Sequence, residues 1–174
     1  MKFGVKCMKT MTERALKEAF AGESQAHVRY LIFAEEAEKR RFENIARLFR
    51  AIAFSEYIHA KNHLKALGGI KETVDNLQAA INGETFEVEE MYPAYSAVAE
   101  TQGEREAQRV IKWALEAEKI HASLYEKAKS VASEKRDISI GKIYVCERCG
   151  YTVEGGAPER CPVCGAPKER FKEF

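Results

Sequence analysis

The sequence predicts a mainly α-helical protein: a four-helix bundle followed by a small metal-binding module. Three observations lead there. From Thr12 to about Ser133 the chain is rich in Ala, Glu, Lys and Leu at helical spacing. Within that stretch glutamates and histidines recur at matched intervals. Beyond residue 141 the composition shifts to glycine, proline and paired cysteines. Charged residues make up 32%, hydrophobic ones 45%, and the net charge is only +1. That balance excludes a nucleic-acid binder and a disordered tail.

Each element follows from local signals. Thr12 with Glu13 reads as an N-cap and acidic first turn, opening a helix that runs to about Arg40. A second helix is expected from Glu43 to the stop signal Gly68-Gly69. Residues 70–83 read as a long connector with a short helix around 74–81, ended by Asn82-Gly83. A third helix should begin near Glu84 and break around Gly103, and a fourth should cover about 104–133. Four long amphipathic helices with one long connection between the second and third is the layout of a ferritin-like bundle. The expected domains are therefore a bundle over 1–134, a polar linker over 135–141 and a cysteine-bearing module over 142–174. No apolar run approaches the roughly 20 residues that span a bilayer. Residues 1–10 are basic without an apolar stretch of secretory length, so a cytoplasmic protein is expected.

The bundle carries an internal repeat in its ionisable residues. Glu23 is followed 33 positions later by Glu56 and then His59, while Glu84 is followed 34 positions later by Glu118 and then His121. Tyr30 lies seven after Glu23, and Tyr92 lies eight after Glu84. The extra residue early in the third helix predicts a π-bulge, a distortion found mostly at functional sites. At 100° per residue these glutamates fall on the stripes that otherwise supply core side chains. Burying so many carboxylates together is costly without counter-charge, and Lys and Arg are scarce on those faces. Two divalent metal ions would supply that charge. One Glu from each of two helices, plus Glu-x-x-His from each of the others, is the di-iron or di-manganese carboxylate pattern. Glu87, one turn after Glu84, is an additional carboxylate whose counterpart in the first half is Ala26. It is expected to bind one metal ion when oxidised, with neutral His59 taking that place when reduced. His27 and His63 read as structural or supporting residues.

Of five cysteines, Cys7 stands alone and reads as an incidental thiol in an N-terminal extension. The others form two Cys-x-x-Cys-Gly knuckles, Cys146/Cys149 and Cys161/Cys164, whose four thiolates suit one tetrahedral metal ion. Spacing alone leaves zinc and iron open. The run Tyr144-Val145-Cys146, Cys149-Gly150-Tyr151, then Cys161-Pro162, Cys164-Gly165 and Phe171 resembles a rubredoxin, a single-iron electron carrier. Preceded by the Glu and Glu-x-x-His bundle, the chain from about residue 12 to 174 resembles a rubrerythrin. Ala21-Gly22-Glu23-Ser24, Gly83-Glu84-Thr85-Phe86-Glu87 and Met91-Tyr92-Pro93 are further local matches.

That resemblance implies a ferritin-like bundle with a rubredoxin-like module, a homodimer, and reduction of hydrogen peroxide to water in oxidative-stress protection. It implies two iron ions held by Glu23, Glu56, His59, Glu84, Glu87, Glu118 and His121, and one held by Cys146, Cys149, Cys161 and Cys164. It assigns the redox-dependent exchange to His59 and Glu87 and places Tyr30 and Tyr92 beside the di-iron site as proton partners. Electrons would come from an NAD(P)H-dependent rubredoxin reductase, directly or through rubredoxin, with no nucleic acid or membrane involved. The 68–83 connector would permit exchange of helix pairs between subunits. The four-cysteine iron is expected at the end of its own bundle and nearest to the partner's di-iron site. Two other readings use the same residues: a ferroxidase or iron-handling protein, and a non-enzymatic scaffold with a zinc ribbon.

Overall fold

Alanine decides how the first two helices meet. In the computed structural model, which describes residues 8–174, α1 (Thr10–Lys39) and α2 (Glu43–Ala66) form a hairpin. Ala46, Ala53 and Ala60, at seven-residue spacing on α2, bury against a seam that includes Ala34 and Ala37 of α1. His27 adds a cross-tie: its Nδ1–H donates to the Ala53 carbonyl at 2.7 Å, which accounts for it as a structural residue. Ile45 and Ile52, on the line that leads to His59, stay 48% and 42% exposed. The helix pair is thus closed by small residues and leaves its larger apolar stripe uncovered. Cys7 lies outside the described residues.

Helix α1 begins at Thr10, with Lys9 as a cap that makes no side-chain hydrogen bond, so Thr12 is not the N-cap. Helix α2 ends where expected: Gly68 takes φ +68°, and the Gly69 N–H reaches the Leu64 carbonyl at 2.9 Å. The following connection is shorter than the sequence suggests. Asn82-Gly83 does not stop a helix; α3 runs Thr73–Phe86 without interruption. Good helix formers on both sides carry the backbone through, and the Gln78 amide donates to the Asn82 side chain at 2.6 Å across one turn. A mid-helix glycine costs about 1 kcal/mol relative to alanine, which a long packed helix absorbs.

A π-helical segment, Glu87–Met91, joins α3 to α4 (Tyr92–Thr101), as the repeat offset predicts. The Tyr92 N–H reaches the Glu87 carbonyl, five residues back. Pro93 immediately follows and has no N–H, and its ring would crowd the carbonyl four residues earlier. A widened turn there is the relaxed solution. Helix α5 (Arg105–Ser133) packs on α3, α4 and the π segment.

After residues 134–142 come β1 (Ile143–Cys146), β2 (Thr152–Glu154) and β3 (Phe171–Glu173) in one antiparallel sheet of order β2-β1-β3. Tyr144 pairs with Val153 on one side and Glu173 on the other. The buried core of this module is Cys146, Cys161 and Ala166, flanked by Tyr151, Val163 and Phe171. The chain divides into two compact units: the first ends at Lys71 with the α1–α2 hairpin, and the second is Glu72–Phe174. No helix of the described residues is long and apolar enough to cross a membrane.

Candidate metal centres

Each unit presents its own cluster of donors. In the first, Glu23 of α1 meets Glu56 and His59 of α2, with ligand atoms within 4.8 Å of one another. His59 Nδ1 lies 3.0 Å from Glu56 and 3.9 Å from Glu23. In the second, Glu84 of α3 meets Glu118 and His121 of α5 within the same limit. His121 Nδ1 is 2.6 Å from Glu118 Oε2. The two Glu-x-x-His pairs therefore adopt the same internal geometry, imidazole nitrogen against carboxylate one turn apart. A nitrogen lone pair and a carboxylate so close need a cation between them, either a proton or a metal ion.

Electrostatics sharpen the second cluster. Burial first, then a hydrogen bond with Glu118 and the charges of Glu118 and Glu87, push the Glu84 carboxyl up to about 7. Glu87, at the start of the π segment, is raised by burial and by Glu118, while His121 pulls it down. It senses the cluster without being one of the three tightly grouped donors. The Tyr92 phenol is raised by burial and by Glu87, Glu118 and Glu84, so it keeps its proton and can donate. Tyr30 instead packs against Phe33 and Phe49, with ring centroids at 6.4 and 6.2 Å. His63 belongs to neither cluster.

The Glu84 shift carries a prediction with a definite sign. A carboxyl whose folded pKa is raised from 4.5 to about 7 holds its proton more tightly when folded. Its contribution to metal-free stability is full below the unfolded pKa and is lost as pH rises through the folded one. Metal binding must expel that proton. Affinity for Mn(II) at this cluster should therefore fall about tenfold per pH unit below neutrality and level off above it. Titration at several pH values, with proton release recorded, measures this; constant affinity between about pH 6 and 8 would contradict it.

The four cysteines converge as predicted. Cys146 and Cys164 sulfurs are 3.6 Å apart, and those of Cys149 and Cys161 are 3.5 Å apart. These are not disulfide distances, which are about 2.05 Å. Sulfurs at about 2.3 Å from a central metal would lie roughly 3.8 Å apart along a tetrahedral edge. The cage is thus close to metal-binding size. Burial pushes the Cys149 thiol far up. Burial acts on Cys161 too, but the backbone N–H groups of Cys164 and Val163, together with the Cys149 and Cys164 thiols, lower it overall. The N–H groups of the knuckle stabilise thiolate charge, as a metal site requires.

The position of this module differs from expectation. It lies alongside the middle of its own α5, not at the end of the helices. Arg148 sits over the Trp113 ring at 5.2 Å, Gly150 faces Ala117, and Thr152 Oγ1 is 2.9 Å from His121 Nε2. Sequence reasoning found neither Thr152 nor this docking. The stripe Trp113, Ala117, His121 at four-residue spacing was the available signal, but nothing in the sequence names its partner.

The comparisons agree with this geometry. A family model described as Rubrerythrin matches residues 14–129, and one described as Rubrerythrin, rubredoxin-like domain matches residues 144–172. The chain is 48% identical to rubrerythrin-2 of Clostridium acetobutylicum, over 94% of this chain and 97% of that protein. It is 36% identical to the rubrerythrin of Nitratidesulfovibrio vulgaris, over 92% of this chain and 93% of that one. Nigerythrin solved in a mixed-valence state is similar in structure, with a TM-score of 0.53, 31% identity and coverage of 100% of this chain and 91% of that chain. The fold is ferritin-like with a rubredoxin-like module, and the carboxylate–histidine and four-cysteine donor sets fit the iron cofactors of such proteins. Two matched Glu-x-x-His clusters on bundle helices, a π segment between them in sequence and a four-thiolate cage after them thus coincide with both family models in order, and the chain belongs to the rubrerythrin family.

Proposed function

We propose that this protein is a peroxidase that reduces hydrogen peroxide to water at a di-iron site, with electrons supplied through the four-cysteine iron. The observation that carries the reading is the pairing of two matched Glu/Glu-x-x-His clusters with a four-thiolate cage in one chain. Glu23, Glu56, His59, Glu84, Glu87, Glu118 and His121 are the proposed di-iron ligands, and Cys146, Cys149, Cys161 and Cys164 hold the third iron. The functional modules are the bundle over 1–134, the linker over 135–141 and the module over 142–174.

When bound, the iron pair supplies the two electrons that cleave the O–O bond. The chain's own groups manage protons and ligand geometry. Glu87, raised by burial and neighbouring charge, can hold a proton close to the cluster. Tyr92, kept neutral by the same carboxylates, can donate a hydrogen bond to a departing oxygen. Tyr30 is assigned the matching position in the first half. Glu87 and His59 would exchange as ligands with the oxidation state of a bound iron, Glu87 from its place at the start of the π-helical segment.

The working form is a homodimer in the cytoplasm, and the connector after α2 permits exchange of helix pairs between its subunits. An NAD(P)H-dependent rubredoxin reductase, directly or through rubredoxin, supplies the electrons.

Stopped-flow oxidation of the fully reduced protein by peroxide and by dioxygen tests this function. Peroxide is expected to react much faster. Fast reaction with dioxygen and sluggish turnover of peroxide would instead mark a ferroxidase, and a colourless four-cysteine zinc protein with no iron in the bundle would mark a scaffold.

A further inference from the structure

The four-cysteine module meets α5 in register. Arg148 and Gly150 belong to the first cysteine knuckle and Thr152 opens β2, so three alternate residues of one short segment reach successive turns of the helix, about 6.0 Å apart. Trp113, Ala117 and His121 on α5 face Arg148, Gly150 and Thr152 in turn. Lys127, six residues after His121, adds an ion pair with Glu154 at 3.1 Å. Gly150 is favoured here by its φ of +80°; an added Cβ would make only ordinary contact, 3.8 Å from Ala117 Cβ. Ala117 is 2% exposed, so the module covers it closely.

This docking delivers one hydroxyl to one imidazole. Thr152 Oγ1–H donates to the Gly150 carbonyl at 3.0 Å, leaving an oxygen lone pair for His121. His121 Nε2–H donates to it at 2.9 Å, which makes Nδ1, facing Glu118, the nitrogen available to a metal ion. Thr152 is 7% exposed, and Leu124, Tyr125, Ile138 and Ile140 line an apolar recess beside the contact. His59 differs: its side chain is 50% exposed, and its contacts run to Glu56 and Glu23.

We propose that Thr152 is a positioning residue through which the four-cysteine module holds His121 as a metal ligand, so that the module sets metal affinity at the Glu84–Glu118–His121 cluster. The inference rests on that cluster binding metal. A hydrogen-bond partner of a ligating imidazole fixes its tautomer and ring orientation, and losing one typically costs about 10–100-fold in metal affinity. Because linkage is reciprocal, metal in the bundle also steadies the docked module.

The test uses the full chain with its four-cysteine iron in place. Mn(II), which prefers oxygen and imidazole donors to thiolates, is titrated in and the free ion read by electron paramagnetic resonance. Thr152→Val and Thr152→Ala should each weaken one Mn(II) binding step by about 10–100-fold, leaving the other step and the four-cysteine visible spectrum unchanged. Thr152→Ser, which keeps the hydroxyl, should restore wild-type binding. If Thr152→Val disturbs the four-cysteine spectrum, the Ala and Ser variants carry the comparison. Wild-type affinity in both hydroxyl-free variants, or Ser no better than Ala, would overturn the role of Thr152. Failure of the wild-type chain to bind Mn(II) in the bundle would overturn the underlying site.

Discussion

Glu118→Ala is expected to empty the second cluster of metal and to lower peroxide turnover at least about a hundredfold. Hydrogen-bonding partners of ligands alone are worth about 10–100-fold in affinity, and Glu118 is placed closer to the centre than any of them. It lies 2.6 Å from His121 Nδ1, and it contributes to the raised pKa values of Glu84, Glu87 and Tyr92. The same residue is a liability in the metal-free protein, where it adds negative charge to a crowded cluster. Metal-free Glu118→Ala should therefore melt no lower than wild type, with the Glu84 carboxyl moved down from its raised value. Metal analysis, turnover and thermal melting together separate lost ligation from lost folding. A variant that unfolds would show Glu118 to be a packing residue instead.

Cys161→Ser should have the second large effect, centred on the four-cysteine module. The module it belongs to is too small to support itself by apolar burial: its buried core is Cys146, Cys161 and Ala166. Most of that core is metal ligand, so loss of the metal removes the core. Structural four-ligand sites contribute on the order of 10–16 kcal/mol in small metal-folded domains, more than such a domain has to spare. The iron's visible absorption and the β1–β3 strand pairing should both disappear, while helical circular dichroism is retained. Turnover with an external reductase should fall about a hundredfold or more, because electrons lose their entry point. Unimpaired turnover would show that the bundle takes electrons directly.

How much of this was legible beforehand depends on the range of the interaction. The π segment at Glu87–Met91 was visible as one extra residue between Glu84 and Tyr92 relative to Glu23 and Tyr30. Asn82-Gly83 misled because two local turn formers were outvoted by the helix on either side. Within the α1–α2 hairpin the buried line of α2 is Ala46, Ala53 and Ala60, one residue along from Ile45 and Ile52. Periodicity identifies an apolar face but not which neighbour covers it, and small residues permit the closest helix approach.

By itself the sequence determined the donors: which glutamates, histidines and cysteines can meet a metal ion, since helical turns and Cys-x-x-Cys knuckles bring together residues a few positions apart. Only the tertiary structure decided which histidine is braced. His121 and Thr152 are 31 residues apart, and their 2.9 Å contact depends on a strand docking in register on a helix. No local rule encodes that contact. It forms where Gly150, with its backbone at φ +80°, meets Ala117 on α5 and carries the chain on to Thr152.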